Sequence, residues 1–142
     1  MKNKIITVWF SCGAASAVAA KKTIELYGDA NTIKIVNNPI KEEHEDNKRF
    51  LHDVEDWLGQ KIEYAINPKF PDASCETVWQ KRKFMSGVFG APCTLHLKRN
   101  ARQVYEIKNP TDYIVLGFTA DEAKRAKRFS ETNEQVLLTP LI

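Results

Sequence analysis

Short apolar runs recur along this chain, separated by segments with a different periodicity. The run at residues 5–10 reads IITVWF and contains no charged residue. An unbroken apolar run of this length is typical of a strand that is buried on both faces, as in a parallel sheet. Apolar and β-rich runs predict five strands in all, at residues 5–10, 32–37, 61–66, 112–118 and 136–138.

Between these strands, apolar residues recur at helical spacing. Ala17, Ala20, Ile24 and Tyr27 fall on one face of a helix predicted over residues 17–27. The buried stripe of a second helix, at 42–58, is predicted to comprise Phe50, Leu51, Val54, Trp57 and Leu58. Further helices are predicted at 75–84, 94–107 and 119–129, the last with Thr119 and Glu122 as a capping box.

This alternation of strands and helices predicts an α/β fold. We expect a doubly wound, mostly parallel five-stranded sheet with helices on both faces. No internal repeat or linker interrupts the pattern, so residues 1–142 are expected to form a single domain.

Composition agrees with an ordinary globular protein. Hydrophobic residues make up 43% of the 142 residues and charged residues 27%. The three scattered cysteines, Cys12, Cys75 and Cys93, do not resemble a disulfide framework. The first apolar run is too short for a signal peptide or a membrane span, so a cytoplasmic location without membrane contact is expected.

The net charge of +3 is modest, but the second half of the chain is more basic than the first, with many cations between Lys81 and Arg128. This distribution suits anionic small molecules. A nucleic-acid partner is not expected, because the chain lacks the interleaved aromatic and basic residues of known RNA or DNA motifs.

A segment of small residues follows the first strand: Ser11, Cys12, Gly13, Ala14, Ala15 and Ser16. Ligands of parallel sheets bind beyond the carboxyl ends of the strands, where this segment lies. Gly13 is expected to supply unusual backbone angles and room for an anion, and the serine hydroxyls to donate to phosphate oxygens. The alternative is a plain turn in which Ser16 caps the helix. The segment matches neither the Walker loop nor the dinucleotide-binding glycine motif.

Other candidate residues have equally ordinary alternatives. Arg125 and Arg128 are candidates for contacting a distal phosphate or sulfate; the alternatives are cations that complement the helix dipole and an i,i+4 pair of Arg125 with Asp121. Lys98, Arg99 and Arg102 are candidates for closing over an anion, with a solvated basic face as the alternative. Cys93 is either a nucleophile or a buried structural thiol. A metal site at His44, Asp46 and His52 is not predicted, since the two histidines lie two helical turns apart.

The order of several short motifs resembles a known family. Strand, Ser-x-Gly-x-x-Ser and helix are similar to the PP-loop of the adenine nucleotide alpha-hydrolase-like superfamily. Within it, the chain most resembles phosphoadenosine phosphosulfate reductase-like proteins, which include small phage-encoded members. The resemblance covers most of the chain, through the segments 45–50, 90–94 with Lys98 and Arg99, and 117–122 with Arg125.

The resemblance implies an adenine nucleotide, ATP or phosphoadenosine phosphosulfate, as the ligand, optionally with Mg2+. It also implies that backbone near Val36 and Asn37 recognises adenine. Candidate nucleotide-binding residues are therefore Ser11, Cys12, Gly13, Ala14, Ala15, Ser16, Val36, Asn37, Lys98, Arg99, Gly117 and Arg125. The candidates for catalysis are Arg125 and Cys93, and no general base is identified.

The chain also departs from the family pattern. Ala15 replaces the loop Asp of the pyrophosphatase branch, and neither a reductase cysteine tail nor cysteine pairs are present. No iron–sulfur cluster is therefore expected. Two hypotheses stay open: an enzyme acting at a phosphate or sulfate ester, and a non-catalytic module that sequesters a nucleotide or docks a protein partner or a second copy.

Overall fold

The computed structural model describes residues 2–41, 45–82, 94–132 and 136–141. Its strands form one five-stranded sheet in the order β3-β2-β1-β4-β5, and the pairings between neighbours are parallel. The strands are β1 (Ile5–Trp9), β2 (Thr32–Asn37), β3 (Glu63–Tyr64), β4 (Tyr113–Val115) and β5 (Val136–Leu138). The predicted α/β fold is confirmed.

Helical elements connect the strands. They are α1 (Ala14–Tyr27), α2 (Glu45–Leu58), α3 (Cys75–Arg82), a π-helical segment (Thr94–Arg99), α4 (Asn100–Lys108), a 3-10 turn (Ala120–Glu122) and α5 (Ala123–Thr132). The capping box of Thr119 and Glu122 is present at the start of the 3-10 turn, as predicted. No described helix is long and apolar enough to cross a membrane.

The alternation of side chains along β1 separates two cores. Ile6, Val8 and Phe10 pack with residues of α1 and α2 on one face of the sheet. On the other face, Trp9 packs with Val36 and Ile114, and residues of α4 and α5 lie against this cluster. Because both faces are covered, the central strand reads as a continuous apolar run.

The strand order reverses at β1. From β1 the chain proceeds through β2 to β3 at one edge, and β4 then lies on the other side of β1. Such a reversal leaves a crevice beyond the carboxyl ends of the two strands that flank it. Here that crevice lies between the residues that follow β1 and those that follow β4.

One predicted helix boundary and one residue of a predicted helix face are wrong. Helix α1 begins at Ala14 rather than at residue 17, because Gly13 is the N-cap and the alanines after it favour helix. Trp57 does not lie in the buried stripe of α2 but is 52% exposed, where Lys21 Nζ lies 5.4 Å from its ring centroid.

Several predicted elements are shorter or less regular than expected. The strand predicted at 112–118 ends at Val115, where its pairing with Val8 of β1 ends. Edge strand β3 has only two residues instead of six, since it pairs only with the end of β2. The helix predicted at 94–107 begins as the π-helical segment. The predicted starts and ends at 42–44 and 83–84 lie outside the described residues.

Candidate functional site

A cavity of about 550 Å³ opens at the crevice between β1 and β4. This volume is within the usual range for pockets that hold small ligands. The described residues that line it are Trp9, Phe10, Ser11, Gly13, Ala15, Ser16, Asn37, Asn38, Lys98, Arg99, Arg102, Leu116, Gly117, Phe118, Glu122 and Arg125.

The turn after β1 takes its unusual backbone angle at Cys12 rather than at Gly13. Cys12 has φ 63, in the left-handed region, whereas Gly13 has φ −99 and ψ 156, which any residue adopts. The expectation that Gly13 supplies the special conformation is therefore wrong. What Gly13 provides is open space: an added Cβ would have Ser11 Oγ as its neighbour, at 3.7 Å.

Hydrogen bonds between its two serines close this turn. The Ser11 amide and hydroxyl each donate to Ser16 Oγ, at 3.2 Å, and the Ser16 hydroxyl donates to the Gly13 carbonyl at 2.9 Å. Ser16 is 4% exposed and is the third residue of α1, so it is not the helix cap. In this arrangement Ser16 shapes the loop, and the exposed Ser11 is better placed to reach a ligand.

The start of α1 presents backbone N–H groups near the cavity. The first helical hydrogen bond runs from the Ala17 N–H to the Gly13 carbonyl, at 3.1 Å. The amides of Ala14, Ala15 and Ser16 precede it and have no acceptor within a helix. No acidic residue lies in this first turn. The positive end of the helix dipole therefore favours an anion here.

Gly117 packs directly against this helix start. A Cβ at Gly117 would lie 2.8 Å from both N and Cα of Ser16 and 3.2 Å from the carbonyl carbon of Ala15. Real Cβ atoms do not approach backbone so closely. The chain after β4 can therefore lie this close to α1 only with glycine at position 117. Gly117 therefore holds the two sides of the crevice at a fixed separation.

Four cations and one carboxylate are among the residues that line the cavity. Lys98 and Arg99 come from the π-helical segment, an irregularity often found at functional sites. Arg125 Nη1 lies 2.5 Å from Glu122 Oε2. The backbone of Thr119 donates to Glu122 and lowers the pKa of that carboxyl, so it stays ionised.

Arg102 is the most enclosed of the four cations. It forms an ion pair with Glu106, whose oxygen lies 3.4 Å away, and its guanidinium lies 5.3 Å from the ring centroid of Phe129. Burial raises the pKa of Glu106, while the neighbouring Arg102 acts in the opposite direction.

Asparagines end β2 at the cavity wall. Asn37 is 4% exposed, and its amide donates to the Phe10 carbonyl at 2.8 Å and to Cys12 Sγ at 3.6 Å. Asn38 donates to the Ala65 carbonyl at 3.1 Å. Val36, by contrast, is fully buried, and its carbonyl accepts the Phe10 N–H, so it does not line the cavity.

Most of the candidate residues from the sequence are brought together here. Among the described candidates, those that do not line the cavity are Val36, Cys12, Ala14 and Arg128. Cys12 faces a separate cavity of about 220 Å³ with Lys48, His52 and Tyr64. Cys93 and His44 lie outside the described residues, as do residues 90–92 of the second resembling segment.

Sequence reasoning assigned no ligand-binding role to the apolar wall of the cavity or to the carboxylate of Glu122. The wall consists of Trp9, Phe10, Leu116 and Phe118. The sequence pattern predicts Trp9, Phe10 and Leu116 only as strand interior, whereas Phe118 and Glu122 also belong to the resembling segment 117–122. Their position at the carboxyl ends of two neighbouring strands was the available signal.

The left-handed angle at Cys12 predicts how substitutions there are tolerated. Cys12→Val should lower the free energy of unfolding by about 1–2 kcal/mol, because a β-branched residue fits the left-handed region poorly. Cys12→Gly should cost less, since glycine adopts that region freely. Urea unfolding of both variants measures the difference, and a valine variant as stable as the glycine variant would contradict the assigned angle.

Comparison with known proteins identifies the fold. No protein-family model and no curated protein sequence matches the chain. The structure is similar to that of U34-tRNA thiolase NcsA from Methanococcus maripaludis, with its 4Fe-4S cluster, at a TM-score of 0.69 and 15% identity. The match covers 99% of this chain and 53% of NcsA, so the chain spans about half the length of that protein.

A predicted subunit of tRNA methyltransferase from Methanocaldococcus jannaschii is also similar, with a TM-score of 0.50 and 13% identity over 98% of this chain and 68% of that protein. At these identities the likeness establishes the fold alone. It agrees with the predicted α/β fold, a parallel five-stranded sheet with helices on both faces.

The comparison corrects the expectation about iron–sulfur clusters. That expectation counted the cysteines of one chain, yet the similar NcsA has a 4Fe-4S cluster, so the exclusion was wrong. The part of this chain that the structure describes contains no group of three or more His, Cys, Asp or Glu residues suited to a metal ion. The described residues therefore do not fit a cluster.

Proposed function

We propose that the chain binds an adenine nucleotide in the 550 Å³ cavity, with the phosphates at the loop 11–16. One observation carries the proposal: the open start of α1 and the cations Lys98, Arg99, Arg102 and Arg125 border the same cavity. Fixed amides and arginine forks together suit a phosphate chain.

The rest of the cavity supports a place for the base. Phe118 offers a partly exposed aromatic ring, while Asn37 and Asn38 supply polar atoms at the end of β2. An apolar pocket with a few polar groups is typical of sites for flat heterocyclic ligands.

Two chemical roles follow for such a site. In the first, the protein acts at a phosphate or sulfate ester, as in the reductase-like proteins it resembles, and Arg125 stabilises charge that develops on the transferred group. In the second, it holds the nucleotide without turnover, as a sequestering or partner-docking module. The departures at Ala15 and in the cysteine pattern favour the second role.

Substituting single arginines tests the binding site. Arg125→Gln should weaken ATP binding by about 10- to 150-fold, because a charge-assisted contact contributes roughly 1.5–3 kcal/mol. Arg128→Gln is the matched control, since Arg128 lies one helical turn away and does not line the cavity. Isothermal titration calorimetry measures both affinities. Equal affinities for the two variants would contradict the assignment.

The same titration with phosphoadenosine phosphosulfate, followed by chromatography of the products, separates the two roles. Conversion of either nucleotide would exclude the role as a non-catalytic module. Binding without conversion would exclude an enzymatic role on these two nucleotides.

A further inference from the structure

The cations that border the cavity continue onto the surface of α5. Lys124, Arg125, Lys127 and Arg128 are all exposed, and Glu131 is the only carboxylate in this helix. Arg125 lines the cavity, and Arg128 lies three residues further on, so it occupies the same helical face one turn away. We call Lys124, Lys127 and Arg128 the α5 basic surface.

The helix dipole does not account for this surface. No cation lies in the last turn of α5, where it would interact favourably with the helix dipole. Lys124 instead lies three and four residues before Lys127 and Arg128, and like charges at these spacings destabilise a helix. An anionic partner would remove this repulsion.

Charge is also segregated between the two faces of the sheet. On the face opposite α5, helix α2 carries five carboxylates and two cations. Two of its ion pairs, Lys48 with Glu45 and Arg49 with Asp46, lie within the helix itself. The excess positive charge is thus concentrated on the side of the cavity, where a mononucleotide would use only the cations that line it.

We infer that the partner of this site is a nucleic-acid strand, with one nucleotide at the mouth of the cavity and the neighbouring phosphates along the α5 basic surface. The inference deepens the proposed function and rests on it for the nucleotide at the cavity. It revises the expectation from sequence, which was based on the lack of a recognised motif. Phosphate contacts need only positioned cations and require no such motif.

The test compares two triple variants by fluorescence anisotropy with labelled single-stranded RNA and with DNA of the same sequence. Lys124→Gln/Lys127→Gln/Arg128→Gln removes the α5 basic surface. The control, Lys4→Gln/Lys22→Gln/Lys61→Gln, removes the same charge from exposed lysines elsewhere.

For the α5 variant, affinity for the strand at about 0.1 M salt should fall by about 10- to 100-fold, and the plot of log affinity against log salt should become shallower by about two. The control should keep the wild-type slope. ATP affinity should stay unchanged in both, because none of these six residues lines the cavity. A preference for RNA or for DNA identifies the strand.

Equal losses in the two triple variants would overturn the inference, because net charge would then explain the binding. Failure of the wild type to bind either strand at moderate salt would also overturn it. Should the wild type bind the strand through α5 but not bind ATP, the proposed function alone would be wrong. If the wild type bound ATP but neither strand, only the inference of a nucleic-acid partner would be refuted.

Discussion

Replacing Gly117 with alanine is expected to destabilise the protein by about 1–3 kcal/mol, the usual cost of forcing an extra carbon into a packed site. The new Cβ would lie 2.8 Å from backbone atoms of Ser16, and no flexible side chain is available to yield. Either the chain after β4 or the start of α1 must move. Urea unfolding of the two proteins measures the loss.

Nucleotide binding should weaken in the same variant, by about tenfold or more. Ser16 accepts both hydrogen bonds from Ser11, so a displaced Ser16 distorts the loop as well. Calorimetric titration with ATP measures this effect.

The control for this prediction is Gly13→Ser. Its Cβ would meet only Ser11 Oγ at 3.7 Å, and serine is a favourable N-cap, so stability should stay within about 0.5 kcal/mol of the wild type or rise. If Gly117→Ala were as stable as Gly13→Ser, the close packing of Gly117 on α1 would be disproved.

Replacing Gly13 with valine is expected to abolish nucleotide binding and leave the fold intact. The backbone angles of Gly13 are extended, which suits a β-branched residue, and the space around its Cβ is open. Loss of a good cap should cost no more than about 1 kcal/mol. The two added methyl groups would project from a residue that lines the cavity, where the proposed phosphates need close approach to the amides.

The measurement is the shift in melting temperature on adding ATP, because a ligand that binds the folded state stabilises it by RT ln(1 + [L]/Kd). Ala14→Val is the matched control, since Ala14 is the next residue but faces an apolar groove with Val18 and Trp57 instead. The control should keep the ATP shift. A shift of wild-type size in Gly13→Val would exclude the loop as the phosphate site.

The outline of the fold was predictable because local pattern encodes burial. Helices cover both faces of β1, so its run is mostly apolar, and the hydroxyl of its one polar residue, Thr7, donates to Thr111 Oγ1. The helical spacing of Ala17 and Ala20 follows from packing on one of these faces. The precise ends were not predictable, as the start of α1 illustrates. Ala14 and Ala15 are compatible with a loop or a helix, and the choice depends on Gly13 and on the contact with Gly117.

The candidate site was predictable where its residues are contiguous or match a motif. Ser11, Gly13 and Ser16 follow one strand, and this position alone pointed to an anion. The angle at Cys12 was not predictable, because non-glycine residues rarely adopt it. The exposure of Trp57 was also not predictable from the helical periodicity. Periodicity shows which residues share a helix face but not how far along the helix that face is covered by its neighbours.

By itself, the sequence determined that strands alternate with helices and that a small-residue loop follows the first strand. Both are local properties, set by which side chains can be buried and which backbones can turn. Only the tertiary structure decided that Lys98 and Arg125, distant in the chain, border the same cavity as that loop. The physical reason is the reversal of strand order at β1, which brings β4 and the residues after it alongside the start of α1.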